Sequence, residues 1–112
     1  MSEEKTGIKF DDDKDRWDLI PLGPIQQIVK VMTYGSSKYG DNQWQNLDNF
    51  NDRYFGACMR HLVAWRNGEN SDPESGLSHL AHAACNLVFL MWRKDELRSN
   101  IKDAFNKALE GK

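Results

Sequence analysis

Residues 76–93 constrain the fold more than any other stretch. Between Gly76 and Arg93 the chain is apolar nearly all the way round a helix, through Leu80, Ala83, Ala84, Leu87, Val88, Leu90 and Met91. A helix of that kind must be packed against other elements. Three polar side chains interrupt it, His79, His82 and Asn86, spaced i, i+3, i+7. At about 100° per residue they fall within ~60° on one face. An unpaired buried polar group costs ~1–3 kcal/mol. The stripe is therefore either an internal hydrogen-bond network or the polar wall of a pocket.

The other elements are read around this helix. Pro24 suits a first helical turn, and Ile25, Ile28, Val29 and Met32 follow at helical spacing, with Gly35 as the expected stop. A second helix is expected over residues 51–66. Asn51 or Asp52 would cap its start, Gly68 would end it, and Tyr54, Cys58, His61, Leu62 and Trp65 recur along it. A last amphipathic helix is carried by Ile101, Ala104, Phe105, Ala108 and Leu109. No useful period-two pattern and no internal repeat occurs. The expected fold is all-α, a small bundle of about four helices. Residues 1–18 form an extended acidic arm, and residues 19–112 a single helical domain. A long loop over residues 35–50 carries Tyr39 and Trp44 next to Tyr34. The arm's Ile8, Phe10, Trp17 and Leu19 would order it wherever they find a groove.

Composition narrows the function. The 112 residues fit one domain. A formal charge of −2 argues against generic duplex-DNA binding, which needs a surplus of cations. No apolar run reaches the ~20 residues of a bilayer span, and the polar start is no signal peptide. Cys58 and Cys85 are too few for a disulfide scaffold and sit in helix-like apolar surroundings. The expected compartment is a reducing cytoplasm.

Three groups of residues could carry chemistry. The first is the stripe of His79, His82 and Asn86. The second is a stripe on the second helix, where Arg53, Ala57, Arg60, His61 and Ala64 combine guanidinium forks with small residues. Arginine suits phosphate, and Lys38 adds a further cation. As isolated surface groups, these arginines would make only exposed pairs worth ~0–1 kcal/mol. The third is the segment Gly68 to Gly76, with Glu69, Asp72 and Glu74 just ahead of His79 and His82. Carboxylates and imidazoles together can hold Mg²⁺, Mn²⁺ or Zn²⁺. Helix capping by Asp72 or Ser75 is the competing use of this segment. The chain has no nucleophile elbow, no Walker-type loop and no deaminase zinc motif.

The blocks KFDDDKDRWDLIP (Lys9 to Pro21), MTYGSSKYG (Met32 to Gly40), NQW (Asn42 to Trp44), RHLVAW (Arg60 to Trp65) and GENSDPESGLSHLAHAACN (Gly68 to Asn86) complete the pattern. Together they resemble a phage-rich family, the N-terminal domain of dATP/dGTP diphosphohydrolases. In longer members the resemblance implies a partner catalytic module of the all-α, MazG-like nucleotide pyrophosphatase kind. Those enzymes hold Mg²⁺ around a triphosphate with a helical E-E-x-x-E and a later helical E-x-x-D. This chain carries no helical E-E-x-x-E, and its one E-x-x-D, Glu69 to Asp72, lies in a loop. At 112 residues it is expected to stand as one domain without that module.

Two functions follow as expectations. In the first, the domain binds a phosphorylated purine nucleotide without cleaving it and needs no cofactor. Tyr34, Tyr39, Trp44 or Trp65 would stack on the base, and Lys38, Arg53 and Arg60 would meet phosphate. Asn42, His61, His79, His82 and Asn86 would complete the pocket. In a phage-infected bacterium, such a protein could sequester a nucleotide-derived immune signal of the cyclic nucleotide or cyclic ADP-ribose class. In the second, Glu69, Asp72, Glu74, His79 and His82, with His61 across the helix pair, hold Mg²⁺ or Mn²⁺ for hydrolysis of dATP or dGTP. An accessory domain is a third use of the same chain. A homo-oligomer is expected on either reading, because short helices with four tryptophans leave apolar surface to cover.

Overall fold

The computed structural model describes residues 7, 8, 10 and 12–111. Residues 1–6, 9 and 11 of the expected arm lie outside this set. Three α-helices carry the fold: α1 (Leu22–Tyr39), α2 (Phe50–Arg66) and α3 (His79–Glu110). Two 3₁₀ turns precede α1 and α2, at Trp17–Leu19 and Gln43–Asn46. The described residues contain no strand, only an isolated antiparallel bridge between Ser71 and Ser78. The fold is all-α, with one helix fewer than the sequence suggests.

The missing break lies between Arg93 and Ile101. Lys94, Asp95, Glu96, Leu97 and Arg98 are serviceable helix formers, and no glycine or proline follows before Gly111. Nothing there ends the helix, so the two expected elements run on as one of 32 residues. Its length is about 48 Å at ~1.5 Å per residue.

Helix α1 also outruns its expected stop. Gly35 lies inside it, and termination falls to Gly40, whose φ of 101° an L side chain rarely adopts and whose N–H reaches Ser36 O at 2.7 Å. Helix α2 starts at Phe50 rather than after a capping Asn51 or Asp52, and Asn49 precedes it in a left-handed conformation with no side-chain cap.

Helices α2 and α3 form an antiparallel hairpin. Tyr54 meets Phe89 at 5.0 Å between ring centroids, Cys58 Sγ lies 3.6 Å from Ala83 O, and His61 reaches His79. Helix α1 packs against α3 and adds Val31 to a core of Phe50, Ala81, Cys85 and Phe89. Trp44, from the second 3₁₀ turn, closes this core. Its ring stacks on Phe89 at 4.1 Å and meets Trp92 edge-on at 4.9 Å.

The core is small, and much apolar surface stays outside it. Phe55, Met59 and Val63 make an exposed i, i+4, i+8 row on α2, and Leu80, Leu87 and Met91 are exposed on α3. Ile8, Phe10, Trp17 and Leu19 are exposed as well, so these four side chains find no groove among the described residues. The radius of gyration is 19.9 Å, where a compact chain of this length would have about 13 Å. No helix among the described residues is long and apolar enough to cross a membrane.

Candidate functional site

The turn after α2 sets the site. The N–H of Glu69 bonds to Ala64 O at 3.0 Å and that of Gly68 to Trp65 O at 2.9 Å. This double closure is a Schellman motif, and it needs the positive φ of Gly68, 103°. It turns the chain back toward α3. The following segment folds on itself through Asp72 N–H to Leu77 O at 2.8 Å and His79 N–H to Asn70 O at 3.0 Å.

Capping within this segment differs from the expectation. Ser78 caps α3, accepting from Ala81 N at 3.2 Å. Asp72 and Ser75 serve the preceding turn instead. Asp72 accepts from Ser75 N at 2.9 Å, and Ser75 Oγ accepts from Leu77 N at 3.1 Å. Ser75 and Asp72 stand three and six residues ahead of the capping Ser78, too early for the helix itself.

The loop delivers its polar groups to three imidazoles. His79 Nε2 lies 2.6 Å from Glu69 Oε1, and His79 Nδ1 lies 2.8 Å from His61 Nδ1 across the α2–α3 seam. His82 Nε2 is 2.7 Å from Ser75 Oγ and 4.0 Å from Asp72 Oδ2. The rings of His61 and His82 stack at 4.5 Å with 11° between their planes. Asn86 donates from Nδ2 to His82 O at 3.0 Å. Among the described residues no buried side-chain nitrogen or oxygen lacks a partner. The polar stripe of α3 is thus satisfied as a network.

The electrostatics follow from the crowding. Burial pushes the His61 imidazolium toward its neutral form, and the adjacent His82 and His79 push the same way. Burial also lowers His82, against the raising effect of Asp72. Burial would raise Asp72, but hydrogen bonds from Ser75 and the nearby imidazoles hold it below the ordinary carboxylate range. His61 and His82 are thus both pushed toward the neutral form, beside an Asp72 carboxylate held toward its ionised form.

Next to this cluster a cleft of about 920 Å³ opens between α1, the second 3₁₀ turn, α2 and α3. It is large enough for a nucleotide-sized ligand. Of the sequence-derived candidates, Tyr34, Lys38, Tyr39, Asn42, Trp44, Arg53, Arg60, His61, His82 and Asn86 line it, as do Asp72 and Glu74. His79 and Glu69 stand behind the lining, and Trp65 lies on α2 away from the cleft.

The lining residues are not equally free to meet a ligand. Lys38 pairs with Glu74, which also accepts from Tyr34 OH at 3.0 Å. Arg53 pairs with Asp48 at 3.1 Å. Arg60 is exposed and makes no ion pair among the described residues. Trp44 has given one ring face to Phe89, whereas Tyr39 is exposed at the rim.

Two contributors escaped the sequence reading. Tyr54 lines the cleft and donates its hydroxyl to Trp44 O at 2.9 Å. It sits seven residues before His61, on the same helical face, but reads as core. Ser75, read as a cap, is the partner of His82. Its spacing of seven residues from His82 carries no helical meaning, because a turn intervenes.

Comparison with known proteins agrees with the sequence blocks. The family model described as dATP/dGTP diphosphohydrolase, N-terminal, matches residues 4–104. A protein of Salmonella phage PMBT28 named dATP/dGTP diphosphohydrolase is 38% identical over 87 residues, which cover 78% of this chain and 29% of that protein. The chain thus matches under a third of that relative's length. No solved structure matches. With residues 4–104 matched by its model, the chain belongs to the dATP/dGTP diphosphohydrolase N-terminal family.

Proposed function

We propose that this domain binds a phosphorylated purine nucleotide in the cleft between α1, α2 and α3, and holds it without cleaving it. The observation that carries this reading is the convergence of Lys38, Arg53 and Arg60 with Tyr34, Tyr39 and Trp44 on one nucleotide-sized cavity. Cations of this kind neutralise phosphate, and Arg60 has no competing carboxylate among the described residues. Tyr39 offers an exposed ring for the base. The relative's name supports a purine nucleotide as ligand class. The bound molecule could be a host immune signal of the cyclic nucleotide or cyclic ADP-ribose class, sequestered in the cytoplasm of an infected bacterium. Binding of this kind needs no cofactor.

Hydrolysis of dATP or dGTP to the monophosphate and pyrophosphate, directly or as an accessory domain, is the second reading. The observation that favours it is the group of His61, Asp72 and His79, whose ligand atoms lie close together beside the cleft. The missing helical E-E-x-x-E weighs against it. On either reading the protein works as a homo-oligomer, supported by the exposed rows on α2 and α3 and the extended shape.

Incubation followed by heat release separates the two. Protein is mixed with dATP, dGTP, cyclic dinucleotides and cyclic ADP-ribose isomers, with and without Mn²⁺, and free ligand is quantified before and after denaturation. A ligand that disappears and returns intact supports capture. Metal-dependent conversion to a monophosphate supports hydrolysis, and no depletion of any ligand rejects both.

A further inference from the structure

The contact between His61 Nδ1 and His79 Nδ1 at 2.8 Å is unusual in what surrounds it. On its far side, His79 Nε2 is 2.6 Å from the Glu69 carboxylate. An ionised carboxylate only accepts, so this bond places the His79 proton on Nε2. With Nε2–H donating to that carboxylate, Nδ1 of His79 is the nitrogen turned toward His61. Asp72 completes the group: the ligand atoms of His61, Asp72 and His79 all lie within 4.8 Å of one another.

A hydrogen bond between neutral rings would account for the nitrogen pair alone. Both carboxylates have protein partners, Asp72 at Ser75 N and Glu69 at His79 Nε2, yet both also stand against the same nitrogen pair. A shared cation accounts for all three. Nitrogen and oxygen donors stand ~2.0–2.2 Å from a first-row divalent ion, so adjacent donors on one ion are about 3 Å apart. The nitrogen pair is already spaced like an edge of such a coordination shell. The Asp72 oxygen, within 4.8 Å of the imidazole ligand atoms, reaches that spacing with side-chain movement of up to about 2 Å.

We infer that His61 Nδ1, His79 Nδ1 and an Asp72 carboxylate oxygen form a binding site for a divalent first-row transition cation of the Zn²⁺ or Mn²⁺ class. Two imidazoles and one carboxylate suit these borderline ions, whereas Mg²⁺ prefers an all-oxygen shell with several waters. Glu69 is the outer partner that fixes the His79 tautomer, in the carboxylate–histidine–metal arrangement. This assignment differs from the one read off the sequence. His61, expected across the helix pair, stays among the ligands, while Glu69 moves behind them and Glu74 stays with Lys38 and Tyr34. His82 stacks on His61 with its Nε2 at Ser75. His61 and Asp72 line the cleft, so an ion held by them would border it. The site stands apart from the nucleotide reading, since it requires no nucleotide to fill it.

The test uses metal alone. Full-length protein is stripped with chelator and dialysed against Zn²⁺, Mn²⁺ or Mg²⁺. Retained metal is counted by elemental mass spectrometry, and Co²⁺ substitution is followed by its visible absorption. One Zn²⁺ or Mn²⁺ per chain is expected, with Mg²⁺ not retained. Asp72→Asn, which keeps the side-chain shape, and His61→Ala should each weaken binding by about 100-fold or more, and Glu69→Gln by ~10–100-fold. Circular dichroism checks that each variant is folded, and Asp72→Asn decides the matter if His61→Ala is not. A wild-type chain that retains no transition metal overturns the assignment, as does equal retention by Asp72→Asn. Either result leaves the three imidazoles as a hydrogen-bonded network and leaves nucleotide capture unaffected.

Discussion

His61 on α2 and His79 at the first turn of α3 meet at 2.8 Å between their Nδ1 atoms. The contact ties the end of the helical hairpin where the loop returns, immediately beside the cleft. His82 stacks on one of the two rings, and the loop brings Glu69 to the other.

Arg60 is the cation of the cleft least engaged by the protein itself. A hydrogen bond to a charged group contributes ~1.5–3 kcal/mol. Arg60→Ala should therefore weaken nucleotide binding about tenfold or more. Because the side chain is exposed, the melting temperature should stay within a degree or two. Calorimetric titration and a thermal melt on the same preparation check both. Unchanged affinity removes Arg60 from the site.

Trp44 is expected to behave as a core residue more than as a base-stacking one. Its ring lies on Phe89 and against Trp92, with Phe50 at 6.5 Å. Trp44→Ala should cost about 3 kcal/mol in urea unfolding. Tyr39→Ala, at the exposed rim, should cost little stability and should weaken nucleotide binding. A stable Trp44→Ala protein that has lost its ligand would reverse these roles.

Arg60, Trp44 and Tyr39 mark the limit of what is legible in the sequence. Helical periodicity was enough to place Arg53, Arg60 and His61 on one face, and the HxxH spacing placed His79 and His82 together. Periodicity within one helix says nothing about which ring faces a neighbour is covering, so Trp44 and Tyr39 looked alike. Glycine as a helix stop holds for Gly68 after α2 and fails for Gly35. Gly35 is tolerated inside α1, while Gly40 and Gly68 end helices through their positive φ. The Glu69–His79 and Ser75–His82 pairs depend on a loop that folds back through main-chain bonds, which no residue spacing encodes.

Burial of Cys85, 3% exposed, pushes its thiol up to about 12 from an ordinary value of 9.0. The folded-state pKa is raised, so the unfolded chain releases this proton first as pH rises. The contribution to stability is fully present below pH 9 and is lost between about 9 and 12, by up to about 1.4 kcal/mol per pH unit. Urea midpoints of the wild type should fall over that window more steeply than those of Cys85→Ala. Parallel curves for the two proteins would contradict the burial.

The exposed row of Phe55, Met59 and Val63 on α2 should be covered by a second copy of the chain. Light scattering after gel filtration should give a mass that is a whole multiple of the chain's own. Val63→Glu should lower that mass toward a single chain while leaving the helical circular dichroism intact. A wild-type protein that stays monomeric at micromolar concentration contradicts this.

The most direct test of the account is calorimetric titration of dATP and dGTP into the metal-free, full-length protein, with pyrimidine nucleotides as controls. The account predicts saturable binding of a purine nucleotide, one site per chain, lost together in an Arg60→Ala, Tyr39→Ala double variant that melts like the wild type. No saturable heat with either purine nucleotide, or equal binding by the double variant, would contradict the assignment of the cleft.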